Sequence, residues 1–305
     1  MHTSLLQQAL SSRPHDAITR LRAAGPDAMN AFLSAHAERL HEPSVSAALD
    51  AICAQRGAAS SRLFWYTDLE KARQAAQEQG RPILSLRLLG RLDDRESCAN
   101  SRFFRKQLYA EDAVSEVLRS SFVLHWHSVR PVPKIRIDFG DGRVVGYPIT
   151  GNSVHLVLDD NARPIDAIPG LYQPEAFIHC LHDSLSLGSR PSRQALVRYH
   201  ARRSLPRPAT GRPASSPPTA LDAGPLAFSK ARIEMPAVRA LVPPTDEEGA
   251  FNADVLRPAI HRMFASGAVF DHEALTRWIY QHVFEMPLSD PWLGLRPDFA
   301  QAALT

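Results

Sequence analysis

The chain has 305 residues, 44% hydrophobic and 22% charged, which is ordinary for a globular protein with one large or two modest cores. A formal net charge of +3 is small for this length, so average charge selects no class of partner. Three widely spaced cysteines exclude a disulfide framework and suit a reducing compartment, and no apolar run approaches the roughly 18 residues a membrane span needs. The first residues show neither a basic stretch nor a long apolar one, so they do not read as a signal peptide, and a cytoplasmic protein is expected.

Residues 1–58 read as a helical segment. Leu5, Leu6 and Leu10 share a face, as do Ile18 and Leu21. Pro26 opens a third helix with Met29, Phe32 and Leu33, and Pro43 a fourth with Val45, Leu49, Ile52 and Cys53. Cys53 falls on the apolar face and reads as a buried small hydrophobe.

The pattern changes over residues 61–188. Residues 63–66 form a short strand candidate, and Asp68 caps a helix that ends at Gly80. Residues 83–89 read as a buried strand, followed by a polar loop to Ser97 and a helix opened by Cys98. A second buried strand covers 122–126. Residues 134–139 and 144–147 alternate about Gly140-Asp141-Gly142, a hairpin signal. Residues 153–158 form another strand, 159–162 turn into 164–168, and Pro174 starts a helix. A β-α-β unit followed by antiparallel strands predicts an α/β fold with a mixed sheet flanked by helices.

Residues 189–245 are rich in proline and arginine and read as a linker. Within it, the stretch from Arg190 to Arg212 holds Arg190, Arg193, Arg198, Arg202, Arg203, Arg207 and Arg212 and no acid, and Tyr199 is its only aromatic. A solvated linker is expected rather than a nucleic-acid arm, since a stacking platform is missing. Residues 246–305 read as a helical tail, with Asp271 capping a helix that places Leu275, Trp278, Ile279, Val283 and Met286 on one face.

Cys98 carries the functional expectation. At the start of a helix, unpaired N–H groups and the helix dipole both favour a thiolate. Arg95 and Arg130 could add positive potential, the Ser101 hydroxyl could donate to the sulfur, and Asn152 and Ser153 should reach the same sheet edge. His125 and His127 alternate on one strand, with His155 on a neighbour, but no spacing completes a metal site. Cys180 lies among apolar helix residues and reads as packed. With no Walker loop, Gly-x-Gly-x-x-Gly, His-Glu-x-x-His or Gly-x-Ser-x-Gly, no cofactor or metal is expected.

Trp65 and Asp68 before a helix, residues 80–84 leading into a strand, Cys98-Ala99-Asn100-Ser101 at a helix start, Phe122-Val123 and the last hairpin together resemble the thioredoxin-like superfamily. The resemblance spans residues 61–188 and implies a thioredoxin-type fold with Cys98 as the attacking thiol. Ser101 stands where the second cysteine would be, and residues 150–153 lack the family's cis-proline. The resemblance therefore implies monothiol chemistry, either exchange with a protein or low-molecular-weight disulfide or redox sensing. The competing expectation is a non-catalytic module that recruits protein partners through its helical and proline-rich extensions.

Overall fold

Every residue of Ile83–Leu89 is buried, because this strand, β1, has helices on both of its faces. The computed structural model describes residues 2–11, 14–95, 97–148, 151–204 and 245–294. Among these, helices α1 (His2–Gln8), α2 (His15–Ala23), α3 (Pro26–Ala35), α4 (Pro43–Cys53) and the single turn α5 (Ala58–Ser61) form the N-terminal part. Pro26 and Pro43 stand in the first turns of α3 and α4, where a missing N–H costs nothing. Leu21, Phe32, Leu49 and Ile52 form the centre of this bundle.

Hydrogen bonds tie the bundle to the sheet. The Arg22 guanidinium donates to the carbonyls of Ile52 (2.8 Å) and Trp65 (3.1 Å). The Trp126 indole donates to the carbonyl of Ala54 at 2.7 Å. Of the strand expected at 63–66, one parallel bridge remains, between Tyr66 and His125.

Helix α6 (Leu69–Gln79) is bounded as the sequence predicts. The Asp68 carboxylate accepts from the Glu70 N–H at 2.9 Å, and Gly80 closes the helix at φ +64°. After β1 come α7 (Ala99–Phe103), a π-helical turn, α8 (Asp112–Ser121) and β2 (Val123–Arg130). A hairpin of β3 (Lys134–Asp138) and β4 (Val144–Pro148) follows, then β5 (Ser153–Leu158), β6 (Pro164–Pro169) and α9 (Pro174–Leu185). The main sheet has the order β2-β1-β5-β6, with β1 and β2 parallel and the other neighbours antiparallel.

Period-two alternation splits the sheet into two faces. Leu84, Leu86 and Leu88 pack with Phe104, Leu118, Phe177 and Leu181. Ile83 and Leu89 pack with Ala72, Ala76, Ile260, Leu275 and Ile279 on the other side. Each fully buried aliphatic side chain contributes about 1.5–3 kcal/mol, so both faces need a helical cover.

The second face receives that cover from the C-terminal residues. Helix α10 (Arg193–Arg203) lies inside the segment expected as a linker. Its buried side is short, chiefly Tyr199 and His200, so apolar periodicity does not reveal it. Its neighbourhood also supplies acids that the linear sequence hides: Arg190 pairs with Asp160 at 2.7 Å and Arg203 with Asp183 at 3.1 Å. Residues 205–244, which hold most of the expected proline-rich linker, lie outside the described residues. Helices α11 (Thr245–Phe251), α12 (Arg257–Ala265) and α13 (His272–His282) follow. Rather than forming a detached tail, α12 and α13 complete the core over the sheet. No helix among the described residues is long and apolar enough to cross a membrane.

Candidate functional site

The loop from β1 to α7 is shaped before Cys98 is reached. Gly90 turns at φ +75° while its N–H bonds the carbonyl of Arg130 at 2.8 Å. Arg105 then gathers the loop, donating to the carbonyls of Leu92 (3.0 Å) and Asp94 (2.6 Å) and to the Ser97 hydroxyl (2.9 Å). Cys98 follows as the N-cap of α7. Its sulfur accepts from the Ser101 backbone N–H at 3.4 Å, so the thiol stands in for a capping oxygen.

The structure brings some of the expected partners to Cys98 and sends others elsewhere. The Asn100 amide donates to the Ser153 hydroxyl at 3.0 Å, so β5 does start beside α7. Gly151 is closer still. A Cβ there would lie 2.9 Å from Cys98 Cβ and 3.4 Å from Sγ. No cis peptide bond is present among the described residues. The Ser101 hydroxyl, expected to donate to the sulfur, donates instead to the carbonyl of Arg91 at 3.4 Å. Arg130 is used to hold chain, donating to the carbonyls of Leu288 (3.3 Å), Asp290 (2.7 Å) and Pro291 (3.2 Å). Arg95 is exposed on the loop. Asn152 faces the C-terminal cover: its carbonyl accepts from the Tyr280 hydroxyl at 2.7 Å, and its amide meets Met286 Sδ at 2.9 Å.

The result is a closed site. Cys98, Asn100, Ser101 and Ser153 are all fully buried, with 0% exposure. Cys53 and Cys180 are buried thiols too, and burial raises the Cys53 pKa further. A thiol without solvent contact cannot meet a macromolecular disulfide.

The three strand histidines do not converge. His125 and His127 share the face of Ser85 and Arg87, and the Ser85 hydroxyl lies 2.8 Å from His125 Nδ1. His155 pairs with Leu86 and therefore points to the opposite face, where it shares a 2.6 Å hydrogen bond with the Tyr109 hydroxyl. Burial pushes the His155 pKa down to about 3, so the ring is neutral.

The densest buried polar constellation is one the sequence reading did not assemble. Asp166 on β6 accepts from the Ser184 hydroxyl (2.7 Å), the Tyr199 hydroxyl (3.0 Å), Arg257 (3.0 Å) and the Ala167 N–H (2.8 Å). His200 and His261 stand beside it with their Nδ1 atoms 2.8 Å apart. Burial alone would raise the Asp166 pKa, but Arg257, His261 and His200 outweigh it, and the carboxyl stays well below its usual range. Asp166, His200 and His261 have the donor atoms for a metal. The carboxylate is already neutralised by Arg257 and its Oδ2 takes three hydrogen bonds, so a divalent ion would add unbalanced charge in an apolar interior. The cluster therefore fits a structural role, fastening β6, α9, α10 and α12. Its sequence signals were slight: an acid within a buried strand and a histidine within an arginine run.

Comparison of the chain with protein-family models, with curated proteins and with solved structures finds no match.

Proposed function

We propose that the chain is a thioredoxin-like binding protein whose thiol site is closed, so that it acts through binding rather than through thiol turnover. The sheet order β2-β1-β5-β6, the parallel bridge from Tyr66 and a cysteine opening the helix after β1 support the fold assignment. The observation that carries the functional reading is the complete burial of Cys98 between Gly151 and the α7 backbone, with Asn152 next to it bonded to Tyr280 of the C-terminal cover. Ser101, in place of a second thiol, removes the neighbour that would resolve a mixed disulfide.

A second reading is favoured by one contact, the Ser101 N–H aimed at the Cys98 sulfur. Such a contact stabilises a thiolate. The thiolate would attack one sulfur of a disulfide, form a bond to it and expel the other sulfur as thiolate. A low-molecular-weight thiol would then have to release Cys98. Thiol labelling of the native full-length chain with a chromogenic aromatic disulfide separates the two readings. The binding reading expects no cysteine to react until denaturant is added. Stoichiometric labelling of the native chain, lost in Cys98→Ala, would overturn it in favour of monothiol exchange.

A further inference from the structure

Strand β1 carries one cation, Arg87, in a run that is otherwise apolar except for Ser85. Arg87 is 4% exposed, and its Nε and Nη2 atoms are buried without a hydrogen-bond partner. Arginine cannot shed its charge at neutral pH, so a buried guanidinium calls for an anion and acceptor oxygens. Arg257 shows how this chain meets that need elsewhere, with Asp166 at 3.0 Å. Arg87 has no equivalent. Glu273, the one carboxylate among the described residues that acts on it electrostatically, is exposed and sits 3.8 Å from Arg277.

The surroundings of Arg87 add two imidazoles. His127 is its direct cross-strand neighbour on β2 and reaches solvent. His272, in the first turn of α13, has a buried Nδ1 that also lacks a partner. His127 and His272 both have lowered pKa values, from burial first and the Arg87 charge second, which places all three groups within mutual electrostatic reach. Three side chains from β1, β2 and α13 thus bring a guanidinium and two imidazoles together, and among the described residues no carboxylate is hydrogen-bonded to the guanidinium. A carboxylate group would occupy one fork of a guanidinium; a phosphate has the additional oxygens and charge that two imidazoles can use.

We propose that Arg87, His127 and His272 form a binding site for a phosphate group, with Arg87 at its floor and His127 at its solvent edge. The site is on the opposite sheet face from Trp126 and Leu86 and is independent of the fate of Cys98. Binding strengthens toward mildly acidic pH as His127 and His272 gain protons. His125, Tyr280, Asp271 and Glu273 also face this region, and the two acids oppose an anion while they remain charged.

Calorimetric titration of the full-length chain with inorganic phosphate, at fixed ionic strength and with acetate in parallel, tests the proposal. Phosphate should bind saturably, tighten as pH is lowered below about 6.5, the ordinary histidine value beneath which both rings are held, and exceed acetate. Arg87→Met should weaken it by about tenfold or more, and His127→Asn by a smaller factor of about three to ten, as expected for loss of charge-assisted hydrogen bonds. Arg87→Met should also melt no lower than the parent without phosphate, because the guanidinium gives up no hydrogen bond. If that variant does not fold, the exposed His127→Asn change decides alone. Absence of phosphate binding, equal binding of acetate, or binding unchanged in His127→Asn would overturn the assignment.

Discussion

Two of the buried guanidinium groups, those of Arg87 and Arg257, obey the same electrostatics with opposite outcomes. Arg257 is matched by Asp166, whose carboxylate also takes hydrogen bonds from Ser184 and Tyr199. Arg87 has no such paired carboxylate among the described residues; Glu273 acts on it only at a distance. Substituting Asp166→Asn keeps the volume and one acceptor but leaves Arg257 charged and uncompensated in an apolar setting. Breaking a buried pair in this way costs about 3–5 kcal/mol, so urea unfolding should show a loss of that order. A loss below about 1 kcal/mol would mean that the pair is balanced elsewhere. At Cys98 the residue-scale lesson is steric. The sequence marks the cysteine by its place before a helix, but Gly151, more than 50 positions away, decides how closed the sulfur is.

Among elements, the C-terminal segment is the one whose role depends most on contacts. Its helix α13 is legible in the sequence, cap included: the Asp271 carboxylate accepts from the Ala274 N–H at 2.6 Å. What the helix covers is not legible, because an amphipathic pattern names the buried face and not its partner. Arg130 holds the following turn by its three carbonyl contacts. Arg130→Met should release residues 288–294 while leaving α13 packed. Limited proteolysis should then cut this stretch several-fold faster than in the parent chain, with the remainder intact. Unchanged cleavage would show that Leu293, fully buried, suffices as an anchor. The opposite error concerns α10. The arginines in and just before it read as a solvated linker because the acids that pair with Arg190 and Arg203, Asp160 and Asp183, lie outside that segment.

For the whole molecule, buried neutral histidines set the response to acid. Burial lowers His155 to about 3, and burial lowers His261 to about 4 despite the opposing charge of Asp166. In the unfolded chain both would titrate near 6.5. Their folded values are depressed, so the unfolded state binds more protons as pH falls, and stability present above about 6.5 is lost between there and the folded values. Each such group adds a slope of about 1.4 kcal/mol per pH unit in that window. Asp166 begins to contribute only below about 4, its ordinary range. Urea midpoints should hold between pH 7.5 and about 6.5 and fall from there down to 4.5, and His155→Phe should remove about one proton from the slope. A flat profile would contradict the neutral, buried state of these rings.

The sequence by itself determined the local elements: the proline-started helices, the Asp68 and Asp271 caps, the hairpin about Gly140-Asp141-Gly142 and the buried β1. These depend on spacing and on backbone preferences that act within a few residues. It also placed Cys98 at a helix start. Only the tertiary structure decided that His155 turns away from His125 and His127, that Asp166 gathers Arg257 and two histidines, and that Arg87 lies buried without a carboxylate. Each of these follows from strand register and from helices packed across the sheet, and a register change of one residue would reverse which face each side chain occupies.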